Sequence, residues 1–233
     1  MGDLIDRAGE ILAQSQRIVD VASQNIANLG TSGYKRKVPF LTLLESGRNV
    51  SDAKERVSVY QDFAQGALGQ TGSPLDLAIS GAGFFVIRTD GHNVYARNGQ
   101  FHRDGNGRLL SVDGYPLQAV GGGDIVLKEG DFKVSLDGTV FQSGESSGQI
   151  ALVEPDHREQ LAGTTGGFYL SGDGRTHDVQ TPVIHQAMAE ASNSTNGQEM
   201  TMVIEAMRRA ETGQQIAHVY DDLVGKAISG FGG

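Results

Sequence analysis

The chain has 233 residues, with 28 acidic side chains against 19 Lys and Arg, a formal charge of −9, and neither cysteine nor tryptophan. That balance excludes a nucleic-acid partner, whose phosphates need a basic footprint. The missing thiols exclude disulfides, thiolate metal sites and cysteine nucleophiles. No run approaches the ~20 apolar residues of a membrane span. Asp3, Asp6 and Glu10 stand where a cleavable secretory signal needs positive charge ahead of an apolar core. Glycine is the outlier: its 33 residues are not periodic and are concentrated in the middle of the chain, as short strands with many tight turns require.

From the N-terminus, Leu4, Ala8, Ile11, Ser15, Ile18, Ala22, Asn25 and Leu29 alternate steps of four and three, with Ile5, Leu12, Val19 and Ile26 widening the stripe. This is the 3.5-residue period of a helix that packs along another helix. It predicts a helical segment over residues 1–35 whose helix runs roughly 40 Å. Ser15 and Asn25 are polar seam positions of the kind that fix register. The stretch QNIANLGTSGYKRK then interrupts the pattern. Here Gly30 is placed to end the helix in the left-handed conformation, Thr31 to Gly33 form a turn, and Tyr34 anchors the connector against apolar surface. Lys35 to Lys37 are expected to stay solvated. Asn28, Gly30, Thr31, Gly33 and Tyr34 together read as a hinge.

Residues 36–75 read as an extended connector with little periodicity. Residues 76–185 read as an all-β domain of short antiparallel strands. The run through Phe84, Phe85, Val86 and Ile87 is apolar throughout, and turn pairs such as Asp90-Gly91, Asn98-Gly99, Asp104-Gly105 and Asp137-Gly138 follow at short intervals. Residues 186–233 carry a second helical stripe: Met200, Val203, Ile204, Met207, Ile216, Tyr220 and Leu223, then Ala227. It weakens between Glu211 and Gln215, around Gly213. Asn196 with Glu199 fits a capping box, and GFGG at 230–233 a glycine stop. The fold class is therefore α+β, with terminal helices forming a coiled-coil-like layer and a central all-β domain.

Several patterns touch on chemistry. GESSG at 144–148 matches a nucleophile elbow centred on Ser146, but the QIALV after it reads as a strand where a helix is needed. The six histidines never reach H-x-H or H-E-x-x-H spacing. Asp104, Asn106 and Asp113 lack the closing glutamate of a calcium loop. Gly81-Ala82-Gly83 precedes two phenylalanines rather than opening a helix. The residues point to no catalytic, metal or cofactor-binding set.

Four segments carry a family likeness. SQNIANLGTSGYKRKVPF (23–40) resembles the N-terminal signature of flagellar rod and hook proteins, an asparagine-rich helix end leading into T-x-G-[FY]-K. TGSPLDLAISGAGFFVI (71–87) resembles their proline-leucine-aspartate segment and its strand with paired phenylalanines. YARNGQFHRDGNGRLLSVDGYPL (95–117) resembles their strand bearing tyrosine, arginine, glycine and phenylalanine, with a turn ending in D-G-Y. SNSTNGQEMTMVIEAMRRAETGQQIAHVYDDL (192–223) is similar to their C-terminal helix, although Arg209-Ala210-Glu211 lacks the usual aromatic. The likeness runs in order along nearly the whole chain, and the short length is most similar to proximal rod members, with distal rod members next.

The resemblance implies a structural subunit rather than an enzyme. It would be exported unfolded through the flagellar type III apparatus, and would assemble helically with itself and other rod proteins into the periplasmic drive shaft. The terminal helices would form the inner layer of that polymer, without membrane insertion. On physical grounds, stripes this long bury little in a lone helix pair and are expected to order between neighbours. The competing readings are a distal rod or hook-type component, a Ser146-dependent hydrolase, and a soluble adaptor whose helices clamp one partner.

Overall fold

The N-terminal stripe becomes α1 (Asp3–Ala27), 25 residues long. The structure, a computed structural model, describes residues 3–44, 54–158, 161–163, 167–172 and 174–231. The chain forms two units. One comprises Met1–Asn28, Arg36–Asp62 and Ser194–Gly233; the other comprises Leu29–Lys35 and Phe63–Asn193.

In the first, helical unit, α1 is followed by β1 (Lys37–Leu44) and β2 (Lys54–Gln61), and the chain returns at its far end as α2 (Asn196–Phe231), 36 residues long. The helices pack side by side and antiparallel. Asn25, late in α1, meets Glu199 in the first turn of α2, while Gly213 lies against Ala8, Ile11 and Leu12. In that register the last ~10 residues of α2 run on past the start of α1. The helix is unbroken through Gly213 and Gly230, so the expected weakening and glycine stop do not interrupt it; Gly232 and Gly233 lie outside the described residues.

Strands β1 and β2 pair from Lys37 opposite Gln61 to Leu44 opposite Lys54, where the sequence suggests only an extended connector. The alternation hides because the hairpin is apolar on both faces. Val38, Phe40 and Tyr60 line one face, and Pro39, Leu41 and Val57 line the other. Val57 is buried, and its carbonyl accepts a hydrogen bond from Arg17 of α1.

The second unit is built of strands. These are β3 (Leu68–Gln70), β4 (Leu77–Ile79), β5 (Phe84–Thr89), β6 (His92–Ala96), β7 (Phe101–Arg103) and β8 (Leu109–Ser111). They continue with β9 (Phe132–Val134), β10 (Thr139–Gln142), β11 (Glu145–Gln149), β12 (Leu152–Pro155), β13 (Leu161–Gly163) and β14 (Phe168–Ser171). Last come β15 (Thr176–Asp178), β16 (Ile184–Gln186) and β17 (Met188–Glu190). The main sheet has six strands in the order β13-β14-β6-β5-β12-β15. A three-stranded sheet, β11-β10-β9, and the pairs β4–β16, β3–β17 and β7–β8 complete the unit. Every pairing is antiparallel. Because β3 pairs with β17, the strand-rich unit reaches beyond residues 76–185 at both ends.

Strand β5 explains the apolar run. Successive side chains point to opposite faces, and here both faces are covered. Phe85 and Ile87 enter the main core with Leu77, Leu109, Leu117 and Ile150. Phe84 and Val86 enter a smaller cluster with Tyr95, Val153, Leu161 and Tyr169. Phe85 meets Phe101 edge to face, with ring centroids 5.4 Å apart. Gly99 differs from the turn expectation. Its backbone is not left-handed; it is glycine because an added Cβ would stand 1.7 Å from the Leu77 carbonyl oxygen.

Candidate functional site: the helix pair and two buried charge clusters

On α1 the seam positions Ala8, Ser15, Ala22 and Asn25 are all buried, and Ile11 and Ile18 are half-buried. The side chain of Leu4 lies outside the described residues. Leu29 is half-buried but belongs to the strand-rich unit, so it is not the last seam position.

On α2 the expected stripe divides. Val203, Ile216 and Tyr220 are half-buried, whereas Met200, Ile204, Met207 and Leu223 are exposed, Met207 by 62%. The residues that face α1 closely are Glu199, Ala206 and Gly213, each almost fully buried or in direct contact. In the sequence Glu199 reads as a cap and Gly213 as a weak point, and Ala206 goes unnoticed, because large apolar side chains define the stripe. The available signal was the spacing of small residues: Ala206, Ala210, Gly213 and Ala217 also step by four and three. Small side chains let two helix backbones approach.

Gly213 sets how close. An added Cβ would meet Ile11 Cγ2 at 3.1 Å, the Ala8 carbonyl oxygen at 3.3 Å and Leu12 Cγ at 3.4 Å. Gly213→Ala gains ~1 kcal/mol of helix propensity and loses a similar amount to crowding against a backbone oxygen that cannot swing away. It is expected to leave stability within about 1 kcal/mol of the wild type, whereas Gly213→Leu overpacks the seam and costs ~1–3 kcal/mol or more. Thermal unfolding followed by helical circular dichroism checks both; a Leu variant as stable as the parent contradicts this packing.

Asn25 closes the seam with three hydrogen bonds. Its Nδ2 donates to Glu199 Oε2 at 2.9 Å and to the Lys37 carbonyl at 2.8 Å, and its Oδ1 accepts from the Lys37 amide at 2.9 Å. The other Glu199 oxygen takes Arg36 Nε at 2.5 Å. The carboxylate is thus committed to α1 and the chain after it, not to the expected capping box, and α2 starts at Asn196 itself.

A second cluster lies within the strand-rich unit. Lys35 Nζ stands 2.6 Å from Glu190 Oε1 and 2.8 Å from the Ala64 carbonyl, with Lys35 and Glu190 both buried. Arg97 Nη1 lies 3.3 Å from Glu190 Oε2, Arg97 Nη2 donates to the Gly81 carbonyl at 2.7 Å, and its guanidinium covers the Phe84 ring. Burial lowers the Arg97 pKa below its ordinary value, with the Glu190 charge opposing that shift. The expectation that Lys35 to Lys37 stay solvated is therefore corrected for Lys35 and Arg36. Their acids lie 155 and 163 residues further along, so in sequence the three cations read as an isolated surface run. Lys37, reaching Gln24 Oε1 at the surface, fits the expectation better.

The hinge residues are also rearranged. Gly30 is exposed and not left-handed; the left-handed residue is Gly33, with φ of 69°. Thr31 to Tyr34 do form a turn, the Tyr34 amide donating to the Thr31 carbonyl, and Tyr34 is half-buried. Asn28 donates back to the Gln24 carbonyl at the end of α1.

Among the patterns that touched on chemistry, Ser146 lies exposed in β11, opposite Phe141, and is followed by β12, so no strand-to-helix elbow forms around it. Asp104 organises its own turn, accepting from the Asn106 and Arg108 amides and from the Arg108 guanidinium. Among the described residues, no group of three or more His, Asp or Glu is placed to hold a metal ion, and no helix is long and apolar enough to cross a membrane.

A seam between paired terminal helices and a unit of short antiparallel strands, each with its own buried ion pairs, define an α+β protein. Residues 78–143 match the family described as "Flagellar hook protein FlgE/F/G D1 domain". The chain is 34% identical to the flagellar basal-body rod protein FlgF of Caulobacter vibrioides, over 84% of each chain. It is 32% identical to FlgF of Mesorhizobium japonicum, again over 84% of each. Against FlgG of Buchnera aphidicola subsp. Schizaphis graminum it is 25% identical, over 89% of this chain and 92% of that one. The chain belongs to the flagellar basal-body rod protein family.

Proposed function

We propose that this protein is a structural, non-enzymatic subunit of the rod, proximal in position, that assembles helically with its own copies and with other rod proteins and carries torque along the shaft. The family likeness supports export through the flagellar type III apparatus and residence in the periplasmic rod.

One observation carries the assembly. The helical unit bears two apolar surfaces on opposite sides of α2. At ~100° per residue, Met200, Ile204 and Met207 cluster on one side. On the other is a groove of about 180 Å³ lined by Ile18, Pro39, Phe40, Leu41, Val57, Met202 and Ala206. The ridge is flanked by Arg208 and Glu211, and the groove by Glu205 and Arg209, so each surface offers one charge of each sign to the other. The occupant of the groove is the ridge of a second copy. A contact between two different surfaces repeats head to tail, and builds an open helical filament where its rotation does not close a ring. In this reading the seam from Ala8 to Asn25 holds the helix pair, Met200, Ile204, Met207 and Leu223 face the neighbour, and Asn28 to Tyr34 carry the chain from one unit into the other.

Met207→Glu on the ridge and Phe40→Glu in the groove test it. Each variant alone is expected to stay monomeric by light scattering and to abolish swimming. An equimolar mixture, in which one intact ridge meets one intact groove, is expected to stop at dimers. Single variants that assemble like the parent, or a mixture that stays monomeric, refute the pairing. Immunogold labelling of isolated basal bodies tests the location: label at the hook or in the cytosol would overturn the rod assignment.

A further inference from the structure

The seven residues Leu29–Lys35 leave the helical unit after Asn28, join the strand-rich unit, and return to the helical unit at Arg36. Gly33 is held from two sides. Its amide donates to the Glu190 carbonyl at 2.7 Å, and an added Cβ would stand 2.4 Å from the Arg97 carbonyl carbon and the Asn98 nitrogen. Two residues on, the buried Lys35 ammonium reaches Glu190 Oε1 and the Ala64 carbonyl.

The charge count under this segment is informative. Glu190 is already matched by Arg97 and by the Gly66 amide, which donates to Oε1 at 2.9 Å. Lifting the segment away therefore strands no buried anion, and Lys35 regains its hydration. The Phe84 ring stays covered by Arg97, and neither Gly33 nor Lys35 belongs to the apolar clusters on the two faces of β5. Opening of the segment is thus separable from melting of the sheet, as locally cooperative units are.

We infer that Leu29–Lys35 is a charge-latched strap, closed by Lys35 on Glu190 and by the close seat of Gly33, that opens and closes while the six-stranded sheet stays folded. Closed, it lies against Glu190, Ala64 and Arg97 of the strand-rich unit. Open, ~23–25 Å of extended chain is released between Asn28 and Arg36. The latch decides whether residues 29–35 lie on the strand-rich unit or stand away from it. This holds for the single chain, independently of whether the subunit builds a rod.

Hydrogen exchange on the full-length protein tests it. In the unmodified chain, peptides spanning 29–35 are expected to exchange by a sub-global opening that low denaturant barely accelerates, while those of β5 and β6 exchange only through global unfolding. In Lys35→Met, loss of the charged hydrogen bonds is expected to speed strap exchange by about tenfold or more, with β5 and β6 unchanged. Lys35→Arg, which keeps the charge, is expected to exchange more slowly than Lys35→Met. Strap amides that exchange only with the sheet in the unmodified chain would overturn the inference, and so would a strap indifferent to Lys35→Met. The first measurement needs no variant, so a misfolded Lys35→Met leaves the idea testable.

Discussion

Phe85→Ala is expected to lower the stability of the strand-rich unit by about 3–5 kcal/mol. The ring is fully buried, sits edge to face with Phe101, and packs among residues drawn from strands far apart in sequence, from Leu77 to Ile184. Truncation removes the transfer energy of a benzyl group and leaves a cavity that β5 cannot collapse to fill, because it is hydrogen-bonded to β6 and β12 on either side. The aromatic pair adds ~0.5–1.5 kcal/mol to that loss. Domains are stable by only ~5–15 kcal/mol, so this one change removes a large share. Urea unfolding followed by tyrosine fluorescence, which reports on Tyr95 and Tyr169 nearby, measures it. A shift of the midpoint with an unchanged slope gives the energy directly; a loss below about 1 kcal/mol would mean the ring does not occupy the close-packed site described.

The second large effect concerns the charge at the helix seam, where the two partners are not equivalent. Glu199 is fully buried, while the Arg36 side chain keeps 16% of its surface in water. Arg36→Met leaves a buried carboxylate on the Asn25 amide, and breaking a buried pair in this way costs about 3–5 kcal/mol. Glu199→Leu costs less, about 1.5–3 kcal/mol, because the part-exposed Arg36 guanidinium keeps access to solvent and Asn25 keeps its bonds to Lys37. The double variant Arg36→Met/Glu199→Leu removes both charges and is expected to recover most of the loss, as replacing whole buried pairs by apolar groups often does. Equilibrium unfolding of the three variants, read by helical circular dichroism, forms the cycle. Equal costs for the two single variants, or no recovery in the double, would show that the pair does not work as a buried ion pair.

Much of the molecule was legible in the residues. The 3.5-residue stripe of α1 placed the buried positions Ala8, Ser15, Ala22 and Asn25 because helical period and burial are both local consequences of sequence. The run through Phe84 to Ile87 declared a strand for the same reason, while the covering of both its faces came only with the fold. The four signature segments were sufficient to mark the family. Turn glycines were partly legible: Gly91, Gly107, Gly114 and Gly138 have positive φ, while Gly99 answers to the distant carbonyl of Leu77. The hairpin of β1 and β2 was hidden by its two apolar faces. On α2, large side chains drew attention away from Ala206 and Gly213, whose value is the space they leave.

The sequence by itself determined the periods, the turn residues, the absence of thiol chemistry and the family, all of which depend on neighbours within a few turns of chain. Only the tertiary structure decided which acid each basic residue meets, which glycine is glycine for lack of room, and which face of α2 is covered. Those depend on atoms brought together from 163 residues apart and more, where Coulomb attraction and close packing act through space. Lys35 and Arg36 are adjacent in the chain and identical in charge, yet one is buried on Glu190 and the other spent on Glu199, a division that exists only once the chain has folded.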